Sequence, residues 1–182
     1  LVLYVVRFHY TKCPQLAIHA FARFVAHTPN SRLRSIGRGP EEDYLRALAI
    51  QLGCSDKIAF VPWLPQPNVF SEMGESDIFL FPSTEGGGMV VIEAMANSLP
   101  VICLDYGGPG EMVCTQCGAK APTTSAEAAI DALHAALTRF HADREVLIVT
   151  SNAAAHHARE TLSWREKRHR IDTLYEQVMA AE

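Results

Sequence analysis

Two acidic residues frame a glycine turn. In "STEGGGMVVIEAMANSLPVICLDYGG", Ser83 to Gly108, Glu85 stands directly before Gly86-Gly87-Gly88, and Glu93 follows inside an apolar run. Glycine admits positive φ and lets a backbone approach a ligand closely. The run from Met89 reads as a helix, whose first free amides then point at that ligand and favour an anion, so a phosphate fits. The segment is neither a Walker loop, since no GK[ST] follows, nor a GxGxxG turn. Glu93, one turn into the helix, can accept two hydrogen bonds from a vicinal diol such as a ribose. Glu85 can face what lies beyond the phosphates. Two acids so placed suit a nucleotide-sugar. The plainer alternatives are a loose turn and a solvated acid. Against them stand the six apolar neighbours Val90, Val91, Ile92, Ala94, Met95 and Ala96. They predict a buried Glu93, and a buried acid needs partners.

The bulk composition bounds the setting. The 182 residues suffice for one well-cored domain, with 48% apolar and 20% charged residues. A net charge of -4 argues against nucleic acid as the main partner. No apolar run approaches the length of a membrane span. The opening "LVLYVV" is too short for a signal peptide and reads directly as a strand, as in a piece of a longer chain. Five cysteines, an odd number, predict reduced thiols and a cytoplasmic setting. Cys114 and Cys117 form one CxxC, but a structural zinc site needs four ligands and no second pair is evident. His156 and His157 are adjacent and point in different directions on a helix. The expectation is two thiols in a loop, and no metal.

The elements that must position the two acids alternate simply. "LVLYVV", "RLRSIGRG", "KIAFVPW", "DIFLFP" and "PVICLD" read as strands. Between them, "PQLAIHAFARFVAHT", "EEDYLRALAIQLG", "NVFSEMGES" and "MVVIEAMANS" read as helices. In the first helix Leu16, Ala17, Ala20, Phe21 and Phe24 share a face. From Ser125 onward three helices follow: "SAEAAIDALHAALTRFHAD", "REVLIVTSNAAAHHARETL" and "SWREKRHRIDTLYEQVMAA". Alternation of this kind predicts an α/β doubly wound parallel sheet, Rossmann-like, as one domain over 1–182 with a helical carboxyl-terminal region. Ligands then bind at the carboxyl ends of the strands. The loops there, "VRFHYTK", "GRGP", "PWLPQP", "STEGGG" and "DYGGPGE", carry glycine, proline or charge.

These residues carry a family resemblance. "EGGGMVVIE" followed by "AMANSLPVICLDYGGPGEMV" resembles the E-x7-E segment of glycosyltransferase family 4, retaining enzymes of GT-B fold. "LYVVRFHYTKCPQLAIHAF", "SIGRGPEEDYLRALAIQLG", "IAFVPWLPQ" and "SWREKRHRIDTLYEQVM" are similar to other segments of the family, in the expected order. What they match is the carboxyl-terminal, donor-binding half of a two-domain enzyme. The resemblance implies that Arg7 and Lys12 neutralise the donor diphosphate, whose charge grows as the glycosidic bond breaks. It implies that Gly87, Gly88, Met89 and Val90 offer backbone donors to the phosphates. Glu85 would contact the transferred sugar, Glu93 would hold the ribose, and the backbone of Leu64 would meet the base. Trp63 either shields the base or belongs to the core.

The same resemblance implies no metal and no cofactor, the nucleotide-sugar being the substrate. A saccharide or lipid-linked acceptor would be bound by the absent amino-terminal domain. His9 is not expected to replace that domain's histidine, and the chain alone would transfer no sugar. The setting is cytoplasmic, with contact at the inner membrane face left open. The sequence departs from the family pattern at Val6, Cys13, Pro62 and Asn97-Ser98, where glycine usually stands at or beside these positions. Two other readings are a non-catalytic nucleotide-sugar-binding module and an NAD-binding domain. The absence of GxGxxG after the first strand weighs against the latter.

Overall fold

The computed structural model describes residues 1–180. Six parallel strands form one sheet in the order β3-β2-β1-β4-β5-β6. They are β1 (Val2–Val5), β2 (Leu33–Ile36), β3 (Ile58–Val61), β4 (Ile78–Phe81), β5 (Val101–Leu104) and β6 (Gly118–Ala121). The helices are α1 (Pro14–Val25), α2 (Glu42–Gln51), α3 (Gln66–Gly74), α4 (Met89–Ala96), α5 (Gly107–Met112), α6 (Ala126–Ala142), α7 (Arg144–Glu160) and α8 (Trp164–Ala180).

A parallel sheet must be covered on both faces, so its strands are apolar on both. β4 (IFLF) and β5 (VICL) are buried at every position. Alternate residues go to opposite layers. Tyr4, Leu80 and Ile102 pack with α1, α2 and α6 on one face. Leu3, Phe79, Val101 and Cys103 pack with α3, α4 and α7 on the other. The expected face of α1 is buried in full, from Leu16 to Phe24. Arg23 ties it to α6 through Asp131 at 2.6 Å and Glu127 at 2.7 Å. Side-chain caps start α6 and α7: Ser125 accepts from the Ala128 amide and Asp143 from that of Val146. Each such cap contributes about 1 kcal/mol.

The strand order reverses between β1 and β4. The loops leaving their carboxyl ends therefore diverge to opposite faces and open a crevice, where ligands bind in doubly wound sheets.

Sequence reading finds five strands; the sixth, β6, and the helix α5 before it were not anticipated. Their sequences conceal them. GGPGEM is poor in helix formers, and GAKA holds no β-branched or aromatic residue. Packing against β5, not local propensity, orders both. The three carboxyl-terminal helices form as expected, except that Ala181 lies outside the described residues. α8 buries no side chain and leaves Ile171, Leu174, Tyr175 and Val178 in an exposed apolar row. No helix among the described residues is long and apolar enough to cross a membrane.

The expectation of five reduced thiols fails at the CxxC. Cys114 and Cys117 are joined in a disulfide, while Cys13, Cys54 and Cys103 are free. A tight turn closed by the Cys117 amide on the Cys114 carbonyl, at 2.9 Å, brings the two sulfurs together. Cys103 lies deep in the sheet, and burial pushes its thiol up to about 12.

The departures from the family's glycine pattern have a conformational meaning. Among the described residues, Cys13 (φ 45°) and Ser98 (φ 63°) are the two non-glycine residues with positive φ. Both occupy positions where the pattern places or borders glycine, so the backbone keeps a shape that glycine adopts without strain. A left-handed non-glycine residue costs about 1–2 kcal/mol. Glycine returns about 0.4–1 kcal/mol of that through the freer unfolded chain. Cys13→Gly and Ser98→Gly are each expected to raise stability by about 0.5–1 kcal/mol in urea denaturation. A drop in stability for both would show that the turns are not strained.

Candidate active site

The crevice is built from the turns after β1 and β4. After β1 the chain makes a short 3-10 turn over Tyr10–Lys12, then enters α1 through Cys13 and Pro14. The buried Tyr4 hydroxyl donates to the Lys12 carbonyl at 3.2 Å and holds this turn down. Burial raises the Tyr4 pKa well above its ordinary value. After β4, both the amide and the hydroxyl of Thr84 donate to the Thr11 carbonyl, at 3.2 and 2.9 Å. The two turns are thereby joined.

The glycine turn is fixed from its other side by α5. A Cβ on Gly107 would meet the Glu85 carbonyl oxygen at 2.3 Å, and one on Gly108 the Gly87 carbonyl oxygen at 2.2 Å. Only glycine allows this approach, and the Gly108 amide donates to Glu85 O at 3.3 Å. Gly88 then caps α4 with φ of 114°. The Val91 amide is bonded to the Gly88 carbonyl at 2.8 Å. The amides just before it, on Gly88, Met89 and Val90, have no backbone acceptor among the described residues. They are the free donors at the positive end of a helix, an arrangement that suits an anion.

Lys12 and Glu85, assigned by sequence to different parts of a ligand, meet directly as an ion pair with both side chains mostly buried. Burial, with the Arg7 guanidinium second, lowers the Lys12 pKa. Arg7 itself is exposed at the same mouth. It lines a groove of about 430 Å³ with Val6, Arg38, Trp63, Leu64 and Val90. Trp63 is 70% exposed, which removes it from the core and places its indole on the groove. His9 is engaged locally: its Nδ1 lies 3.0 Å from the Thr11 hydroxyl and its ring against Tyr10.

Glu93 is half-buried, not buried as its neighbours in sequence suggest. Successive helix residues turn by about 100°. Val91, Ile92, Ala94 and Met95 face the core, while Val90 and Glu93 lie on the open side. Glu93 Oε1 accepts a 2.8 Å hydrogen bond from Gln66 Nε2 on α3. That bond orients the carboxylate and leaves its second oxygen available.

Sequence reading missed Arg38, Gln66 and the Thr11–Thr84 link. Arg38 sits in the flagged "GRGP" loop, so its signal was present but not singled out. Gln66 and Thr84 carry no local signal, because their partners lie 27 and 73 residues away. The mouth as a whole can bind an anion at the start of α4, with cations beside it and an apolar groove leading away.

The family described as "Glycosyl transferases group 1" matches residues 1–156. The D-inositol 3-phosphate glycosyltransferase of Corynebacterium glutamicum (strain R) is 31% identical over 189 residues, covering 100% of this chain and 44% of that protein. Sucrose-phosphate synthase from Thermosynechococcus elongatus has a TM-score of 0.82 at 26% identity, covering 100% of this chain and 46% of that one. A pneumococcal O-GlcNAc transferase in complex with UDP and GlcNAc has the same fold, with a TM-score of 0.82 at 19% identity over 96% of this chain and 35% of that one. The chain thus spans less than half the length of these relatives. With a match over residues 1–156 and a six-stranded doubly wound sheet, the chain belongs to the group 1 glycosyl transferases and forms one half of a GT-B fold.

Proposed function

We propose that this chain is the donor-binding half of a retaining, metal-independent glycosyltransferase, which moves a sugar from a nucleotide-sugar to a saccharide or lipid-linked acceptor. The observation that carries the reading is the anion-binding mouth: the free amides at the start of α4 flanked by Arg7 and Lys12. The UDP in the complex of the pneumococcal relative supports a nucleotide donor. The acceptor contacts belong to a second domain, as the length of the relatives suggests. The exposed apolar row on α8 supports further protein packing against this chain.

In this reading the nucleoside lies in the groove between Trp63, Leu64 and Val6. Its ribose diol reaches Glu93, which Gln66 holds in place. The diphosphate lies over Gly87, Gly88, Met89 and Val90. During transfer the bond between the anomeric carbon and the diphosphate oxygen breaks, an acceptor hydroxyl oxygen bonds to that carbon, and the hydroxyl proton leaves on the departing diphosphate. Charge gathers on the departing diphosphate, where the amides, Arg7 and Lys12 stabilise it. Glu85 touches the sugar and, through its pairing with Lys12, links sugar placement to the phosphate cation. A binding module without catalysis is the weaker reading, since Cys13 and Ser98 preserve the turns that glycine would form.

Thermal-shift titration tests the mouth directly, because a native-state ligand raises stability by RT ln(1 + [L]/Kd). Arg7→Ala and Lys12→Ala are each expected to weaken a nucleoside diphosphate by about 1.5–3 kcal/mol, the range of a charge-assisted hydrogen bond. The bare nucleoside changes little. Equal losses for both ligands would remove these cations from the phosphates.

The two acids separate in a second experiment. Glu93→Gln is expected to cost at least about tenfold in diphosphate affinity, or about 1.4 kcal/mol. The loss is smaller for a 2′,3′-dideoxy nucleotide, which offers no diol. Glu85→Gln releases Lys12, so the bare diphosphate binds as well or more tightly while turnover by the two-domain enzyme falls. Equal loss of bare diphosphate affinity in both variants would refute the division of labour.

A further inference from the structure

The CxxC that sequence reading set aside acquires a third partner from the fold. Cys114 and Cys117 lie on the turn between α5 and β6, and His157 projects from α7, which packs beside them. One ligand atom from each of the three lies within 4.8 Å of the others. The adjacent histidines do point differently, as expected: His156 is exposed, while His157 is half-buried. His157 Nε2 lies 3.1 Å from the Met112 carbonyl oxygen. A carbonyl only accepts, so in the neutral ring the hydrogen of this contact sits on Nε2 and the Nδ1 lone pair is left for a ligand. Cys117 is fully buried and Cys114 partly open, so the cluster has one accessible side.

We propose that Cys114, Cys117 and His157 form a site for a thiophilic divalent cation of the zinc class when the disulfide is reduced. Two thiolates and one imidazole are the donor set such a cation favours. A disulfide alone needs no third donor. A histidine held by a backbone carbonyl, in contrast, is the usual support for a metal-binding ring. Three protein ligands leave the fourth tetrahedral position for water or another small ligand. The oxidised and metal-bound states exclude each other, because both use the same two sulfurs. A water-soluble phosphine converts one to the other: with one water it reduces the disulfide to two thiols and becomes the phosphine oxide. The cation then displaces both thiol protons. The site sits at the far end of α5, whose first residues, Gly107 and Gly108, press on the Glu85 turn.

Cobalt(II) is the probe, because thiolate ligation gives a charge-transfer band and tetrahedral geometry gives strong visible bands. The phosphine-reduced 182-residue chain is expected to bind one Co²⁺ with both features, and Zn²⁺ should displace it. The oxidised chain should bind at least a hundredfold more weakly. Cys114→Ser and His157→Ala should each weaken Zn²⁺ at least tenfold, with Cys13→Ser unchanged as a control. Cys114 and His157 are partly exposed, so their variants are the ones to use, and retention of the unfolding midpoint without metal shows that they fold. If Cys114→Ser unfolds, His157→Ala decides the matter. Reduced chain lacking the charge-transfer band, or His157→Ala binding Zn²⁺ as tightly as the parent, would overturn the proposal.

Discussion

Three turns meet backbone to backbone at the mouth of the sheet, and the rest of the site follows from that contact. The turn after β4 is pinned to the β1 turn through Thr84 and Thr11, and to α5 through the bare backbone of Gly107 and Gly108. Side chains would hold these segments apart by the width of a Cβ. Without them, the start of α4 is set against Lys12 and Arg7 with little freedom. A donor array held this way costs little reorganisation when charge arrives.

The reversal of strand order between β1 and β4 is what makes room for this contact. Helices α1 and α4 leave toward opposite faces, each buried in its own core layer. The site therefore sits where the two layers part and rests on both. The apolar groove past Arg7 extends the same crevice over β2 and β3. Charge collects at the helix terminus and apolar surface collects beside it, which matches a ligand with a charged centre and a flat, less polar end.

The Lys12–Glu85 pair changes how the site must work. Removing two charges from water is costly, and each compensates the other. Because the two charges meet each other, the proposed binding of a phosphate by Lys12 would be coupled to whatever Glu85 meets. The mutual contact keeps both side chains in place before anything binds. Residues that look independent in sequence, 73 positions apart (Lys12 to Glu85), act here as one unit.

The sequence alone determined the fold class, the five strands from β1 to β5 and the helices around them, because period and apolar runs report burial directly. It also marked Glu85, Glu93 and the glycine turn, since glycine and acid in an apolar stretch are local anomalies. The tertiary structure alone decided the rest. α5 and β6 have little propensity of their own; β6 forms because β5 offers it an edge, and α5 because it packs against β5. Glu93 proved half-open because its sequence neighbours point elsewhere around the helix. The Lys12–Glu85 pair, Gln66 on Glu93 and His157 beside the two cysteines join residues distant in the chain. Distance along a chain says nothing about proximity until the crossovers of the sheet are in place, and contacts of that kind are what assemble the site.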